Sequence, residues 1–228
     1  MSRPRGYTLD AVLEAATSAF WERGYQGTGI ADLERRTCIN RSSLYHAFGS
    51  KEALFRDSLE SYIHGFLDPL LTPMEDPGAG VRDVEGFFTR LAALFRDGGS
   101  PARYGCLWVN TITEFAGRPA PVEVRAAELR DRLRAAFGNA LAGTGWRGTG
   151  DPAVVERRAQ ILGLATWGVW ICARDDPADA ARLCDALISE VRSWSAPGSG
   201  AGGARGGRSQ GRRRTPDPQS SWDRITNE

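Results

Sequence analysis

At 228 residues the chain is long enough for one sizeable core and a small appended module. Its 41% hydrophobic and 25% charged residues are those of an ordinary globular protein, which argues against a wholly unstructured chain and against a membrane protein. The formal net charge of +1 decides nothing about nucleic acid, because a DNA-binding face needs local positive charge and not a high total.

The first ten residues, MSRPRGYTLD, lack the apolar stretch of a secretory signal, and no apolar run approaches the roughly 20 residues that span a bilayer. A cytoplasmic protein with no membrane partner is expected. Cys38, Cys106, Cys172 and Cys184 are scattered without a CxxC pair, so free thiols are expected and neither a metal site nor a disulfide framework.

Thr8 is a plausible N-cap for a first helix, in which Leu9, Val12, Leu13, Ala16 and Phe20 share one face before Gly24 ends it. A second short helix follows Thr28 and turns Ile30 and Leu33 inward. Thr37-Cys38-Ile39-Asn40 forms a turn, and Asn40 caps a third helix over 41–48, anchored by Leu44, Tyr45 and Phe48. Gly49 stops that helix and Ser50 caps the next. Longer helices are predicted over 51–67, 84–96, 103–115, 122–142, 152–174 and 177–194. Leu67-Asp68-Pro69, Asp97-Gly98-Gly99, Arg118-Pro119 and 143–150 supply the breaks. The fold class is all-α: an N-terminal three-helix module, then an orthogonal helical bundle. From Ala196 onward Gly, Pro, Arg and Ser dominate, and the segment reads as a disordered tail.

Residues 28–48 have the parts of a helix-turn-helix: two short helices, a tight turn, and apolar positions that lock them together. Arg41, Ser42, Ser43 and His46 cannot all lie on the face buried by Leu44 and Phe48, so several project outward, where they suit a major groove. Any two amphipathic helices joined by a turn would share this spacing.

Gly24-Tyr25, Thr28, Ile30, Leu33 and the run INRSSLYHAFGSKEALF over 39–55 resemble the DNA-binding module of the TetR (tetracycline repressor) family. The resemblance covers about 50 N-terminal residues, and the LYxxFxSKExLF pattern is its specific part. It implies a repressor that binds a double-stranded operator as a homodimer and is released by a small-molecule inducer. It also implies that Thr28 approaches the DNA backbone, that Arg41, Ser42, Ser43, Tyr45 and His46 belong to the recognition helix, and that Tyr45 grips a phosphate. Lys51 suits a second phosphate contact; the alternative is a solvated surface charge. The family usually carries glycine where Cys38 stands. If that position needs positive φ, cysteine costs about 1 kcal/mol there; the sharper reading of Cys38 is a redox sensor, the plainer one a tolerated substitution.

The domains expected are therefore 1–50 for DNA binding, 51–195 for ligand binding and dimerisation, and the tail 196–228. ILGLATWGVWICA, over 161–173, is apolar nearly all round, and Leu183, Leu187, Val191 and Trp194 form a stripe on the last helix. The pair suits a four-helix interface between two copies, as in the resembled family, or an intramolecular core. Phe66, Phe88, Tyr104, Trp108, Thr111 and Phe115 are the candidate ligand-binding residues, drawn from a larger aromatic set that includes Phe87, Phe95 and Phe137 and from the polar groups Asn110, Thr111, Thr113 and Glu114 near it. Cys106, beside Trp108, reads as a buried structural cysteine or a thiol sensor. An enzyme is disfavoured: the chain has only His46 and His64, and no nucleophile elbow, P-loop or metal cluster. No cofactor is expected, since the GxGxxG match at 198–203 follows no strand. The other functional reading is a non-specific nucleic-acid binder that uses Arg205, Arg208 and Arg212 to Arg214 of the tail.

Overall fold

The computed structural model describes residues 8–117, 123–143 and 151–195. The breaks at Arg118-Pro119 and over most of 143–150, the GxGxxG run and the Arg-rich tail lie outside the described residues. The described chain is helical and holds no extended strand.

Three helices make the N-terminal module: α1 (Leu9–Arg23), α2 (Ile30–Thr37) and α3 (Arg41–Phe48). Their ends sit where side-chain chemistry places them. Thr8 accepts a hydrogen bond from the Ala11 N–H, Asn40 from Ser43 and Ser50 from Ala53, each satisfying a donor that the helix cannot. Gly24 and Gly49, both at positive φ, close α1 and α3. Val12, Ala16, Ala19 and Phe20 bury one face of α1, whereas Leu9 of the expected stripe is 46% exposed at the first turn. Phe20 meets Phe55 edge-on at 4.9 Å.

Helix α4 (Lys51–Tyr62) runs through a π-helical turn (Ile63–Leu67) directly into α5 (Asp68–Glu75). The expected break at Leu67-Asp68-Pro69 is thus not a break. Proline has no N–H and its ring crowds the carbonyl four residues back. Widening the turn before it relieves that crowding, and the Asp68 N–H reaches the Ile63 carbonyl.

Helix α6 (Val81–Arg96) begins three residues earlier than predicted, because the Asp83 carboxylate accepts from the Gly80 N–H and caps the extra turn. The helix expected over 103–115 is two, α7 (Ser100–Tyr104) and α8 (Leu107–Glu114), divided at Gly105. Gly105 sits at φ +70°, and a Cβ there would meet Arg174 and the Trp170 carbonyl. Three long helices complete the bundle: α9 (Glu123–Ala142), α10 (Pro152–Ala173) and α11 (Pro177–Ser195).

The core of the larger bundle is aromatic, with Phe87, Phe88 and Phe137 in mutual contact and Phe95 edge-on to Trp170. Arg132 of α9 ties down α5, donating to both carboxylate oxygens of Glu75 and to Asp68. On α10, Leu162, Thr166, Val169, Trp170 and Ala173 are buried, but Ile161, Leu164 and Ile171 are 49%, 75% and 57% exposed. Leu183 of α11 is 40% exposed. No helix among the described residues is long and apolar enough to cross a membrane.

Candidate nucleic-acid interface and regulatory cavity

Helix α3 is fixed at its start by two side chains. Besides the Asn40 cap, the Glu34 carboxylate accepts from the Arg41 N–H at 2.6 Å, locking α3 to α2 across the turn. Leu44 anchors the inner face. Arg41, Ser42 and His46 are exposed, and Ser43 and Tyr45 are half-buried. The Arg41 guanidinium lies 5.4 Å from the centre of the Tyr45 ring, so the two share one outward edge. Glu34 carries no sequence signal apart from its spacing to Arg41, and no local pattern distinguishes it from an ordinary surface glutamate.

The turn before α3 depends on Cys38, the one non-glycine among the described residues at positive φ (57°). The strain that the sequence left conditional is present. Its thiol is exposed and its Sγ lies 3.8 Å from the Arg35 carbonyl.

Two residues expected to face a phosphate are engaged elsewhere. Thr28 is fully buried, and its hydroxyl donates to the carbonyls of Gly24 and Ala19, so its side chain closes the α1–α2 turn and faces no outside partner. Lys51 lies 4.1 Å above the Tyr25 ring, and burial pulls its pKa below the usual lysine value against the opposing pull of Glu114 and Asp32. Asp32, Arg23, Arg35, Arg36 and Glu22 form a surface ion-pair group; the Asp32 carboxyl is held below its ordinary value chiefly by the Gly29 N–H it accepts from. All three arginines of α1 and α2 are thereby paired, and Arg41 of α3 is in no ion pair among the described residues.

The module is joined to the bundle at the end of α8. The Glu114 carboxylate accepts from the backbone N–H groups of Tyr25 and Gln26, at 2.9 and 2.6 Å, in the turn between α1 and α2. Gly24 makes room for it, since a Cβ there would approach Glu114 to 2.7 Å. Phe115 packs its ring at a tilt against Tyr25 and Phe55, and the Trp21 indole donates to the Gly105 carbonyl at 2.9 Å. Glu114 appeared in the sequence only as one polar group near the aromatic helices.

The other end of α8 borders a cavity of about 40 Å³. Leu67 and Leu70, Trp108, Leu133, Trp167 and Trp170 form most of its wall, with Phe87 and Cys106 beside them. Of the six candidate ligand residues, Trp108 alone lines it. Phe66 packs on Trp21, Tyr62 and Trp170; Phe88 lies in the Phe87–Phe137 stack; Phe115 sits at the module junction. The Tyr104 carbonyl accepts from Asn110, and the Thr111 hydroxyl bonds back to Leu107 within its own helix. Aromatic character alone does not say which rings border a void, because non-neighbouring helices decide it. Cys106 is buried and burial pushes its thiol up, so it is held as the protonated, unreactive form. The buried Tyr62 hydroxyl lies against the Cys106 thiol and the Leu107 backbone, whereas the buried Trp108 Nε1 has no hydrogen-bond partner among the described residues.

Comparison with known proteins places the module. The model of bacterial regulatory proteins of the tetR family matches residues 12–57, which spans α1 to the middle of α4. The HTH-type transcriptional repressor ComR of Escherichia coli is 33% identical over 115 residues, 50% of this chain and 54% of its own length. An uncharacterized HTH-type transcriptional regulator of Mycobacterium tuberculosis is 27% identical over 199 residues, 85% of this chain and 90% of its own. The solved TetR family regulator CifR, a cysteine mutant complexed with a 26-base-pair operator, superposes with a TM-score of 0.69 at 26% identity, covering 84% of this chain and 100% of that one.

The N-terminal module matches the tetR family of bacterial regulatory proteins.

The chain spans only about half the length of the first curated relatives, 54% and 58%. Across the bundle, solved structures such as reduced NemR of Escherichia coli, 19% identical with a TM-score of 0.66, share the fold.

Proposed function

We propose that this protein is a sequence-specific transcriptional repressor of the TetR family that binds duplex DNA as a homodimer and leaves its operator when a small apolar molecule enters the bundle. The observation that carries the reading is the outward edge of α3: Arg41, Ser42, Tyr45 and His46, on a helix whose start is pinned by Asn40 and Glu34. Arginine suits guanine or phosphate and serine suits either, so a rigid helix presenting them is fit to read a major groove. Residues 1–50 then supply recognition, and 51–195 supply pairing and response. The reading involves no catalysis and places the protein with the chromosome, in the cytoplasm.

Dimerisation is supported by Ile161, Leu164 and Ile171 of α10 with Leu183 of α11, which leave apolar surface open on two adjacent helices. Covering each such side chain gains about 1.5–3 kcal/mol. Two recognition helices held about 34–36 Å apart then enter successive major grooves.

Coupling follows from the chain path. The wall of the cavity includes the start of α8 and the junction of the π turn with α5; the far end of α8 holds Glu114 against the module, and α4 begins at its Ser50 cap directly after α3. A ligand that displaces this wall changes how the module sits only if it prefers the displaced state.

Mobility shifts on a duplex selected from a random pool test the proposal. Arg41→Ala and His46→Ala are expected to weaken binding to the selected duplex by about tenfold or more each, while weak binding to random duplex persists. Equal losses on both duplexes would remove α3 as the reader.

A further inference from the structure

We propose that the cavity and the groove between α9 and α10 form one site for an amphipathic organic anion, with an aryl or alkyl body in the cavity and a carboxylate on Arg130. This rests on reading the bundle as ligand-responsive, and adds the chemical class of the ligand.

Arg130, Leu133 and Trp167 line both the cavity and the groove, so the two adjoin across these side chains, and Leu164 of the proposed dimer face lies on the groove's α10 wall. The groove offers about 450 Å³ and the cavity about 40 Å³. Sites for organic ligands commonly measure about 300–1,000 Å³. The inner space takes little more than a methyl or two as it stands, and the rest of a ligand extends outward between the Trp167 and Leu133 side chains, or moves them.

Charge selects the outer end. Helix α9 carries Arg130, Arg132 and Arg134 in alternate positions. Arg132 is held by Glu75 and Asp68, and Arg134 lies within 3.6 and 3.8 Å of Asp131 and Glu156. Arg130, exposed at the mouth, pairs with no carboxylate among the described residues. A guanidinium presents a planar fork that takes a carboxylate through two parallel N–H donors. Asp131 also lines the groove, but its carboxylate faces Arg134 at 3.6 Å, and no described carboxylate lines the inner cavity, so the unpaired charge of the site is the Arg130 guanidinium.

The interior selects the body. Trp108, Trp167, Trp170 and Phe87 supply flat apolar surface. Trp108 Nε1 is a buried donor without an acceptor among the described residues, a state that costs free energy unless something fills it. An ether or carbonyl oxygen on the ligand body would do so.

Calorimetry on the full-length protein with three probes of one shape, phenylpropanoate, phenylpropanol and phenylpropylamine, tests this. The anion is expected to bind about tenfold or more tightly than the alcohol, and the amine most weakly. Arg130→Gln is expected to erase the preference for the anion, and Arg134→Gln, whose side chain is already paired, to keep it. Equal binding of anion and alcohol, a preference that survives Arg130→Gln, or no heat from any probe would overturn the proposal. Duplex binding is measured separately: an anion that binds through Arg130 but leaves duplex affinity unchanged supports the ligand class and overturns the inducer reading instead.

Discussion

In the module formed by α1 to α3 and the start of α4, polar groups are answered locally: Thr8, Asn40 and Ser50 cap helices, Glu34 holds the Arg41 N–H, and Thr28 closes a turn. The bundle is different. It leaves Leu164 and Ile171 open, Arg130 without a described carboxylate, and the buried Trp108 Nε1 without a partner among the described residues. The first region is complete as a single chain; the second has surfaces and groups that a second copy and a ligand would complete. Rigidity belongs where sequence is read, and unfinished contacts belong where a signal is received.

The largest effect expected is in the complete region. Phe20 is fully buried against Phe55, and Phe20→Ala is expected to cost about 3–5 kcal/mol in urea unfolding. A cost below about 1 kcal/mol would mean that the module tolerates a hole and is not the rigid unit described.

Leu164→Glu probes the other region. The side chain is 75% exposed in the protomer, so its helix should hold, while sedimentation is expected to show dimer affinity down about a hundredfold as a carboxylate enters an apolar interface. An unchanged dimer would show that the open stripe is not the contact.

Glu114→Ala addresses the border between the two. Losing an acceptor shared by two N–H groups is expected to cost about 1–3 kcal/mol. Hydrogen exchange at Tyr25 and Gln26 should quicken by about tenfold, because about 1.4 kcal/mol corresponds to that factor. Unaltered exchange at both amides would show that Glu114 does not clamp the turn.

Cys38→Gly carries the smallest effect. Removing the side chain relieves about 1 kcal/mol of left-handed strain, and the added freedom of glycine in the unfolded chain returns much of it. A net change between zero and about 1 kcal/mol of stabilisation is expected in thermal melts; clear destabilisation would assign the thiol a structural role.

The module was legible in the sequence because its boundaries are written as caps. The α3 bounds and the roles of Thr8, Gly24, Asn40, Gly49 and Ser50 follow from side-chain chemistry within four residues. The π turn before Pro69 and the split at Gly105 were not legible, since each depends on what packs against it from afar. In the candidate site, local spacing turned Arg41, Ser42 and His46 outward, but Thr28 went inward because its hydroxyl found two backbone carbonyls across the turn. The cavity wall escaped for a similar reason. Leu67, Leu133 and Trp167 come from three separate helices, and their meeting is a matter of tertiary packing.

Footprinting of the full-length protein across the DNA that flanks its own gene tests the central claim most directly. Protection of a near-palindrome whose half-sites lie about 10 base pairs apart, abolished by Arg41→Ala, is the predicted result. Affinity for that DNA no greater than for random duplex at moderate salt would contradict it.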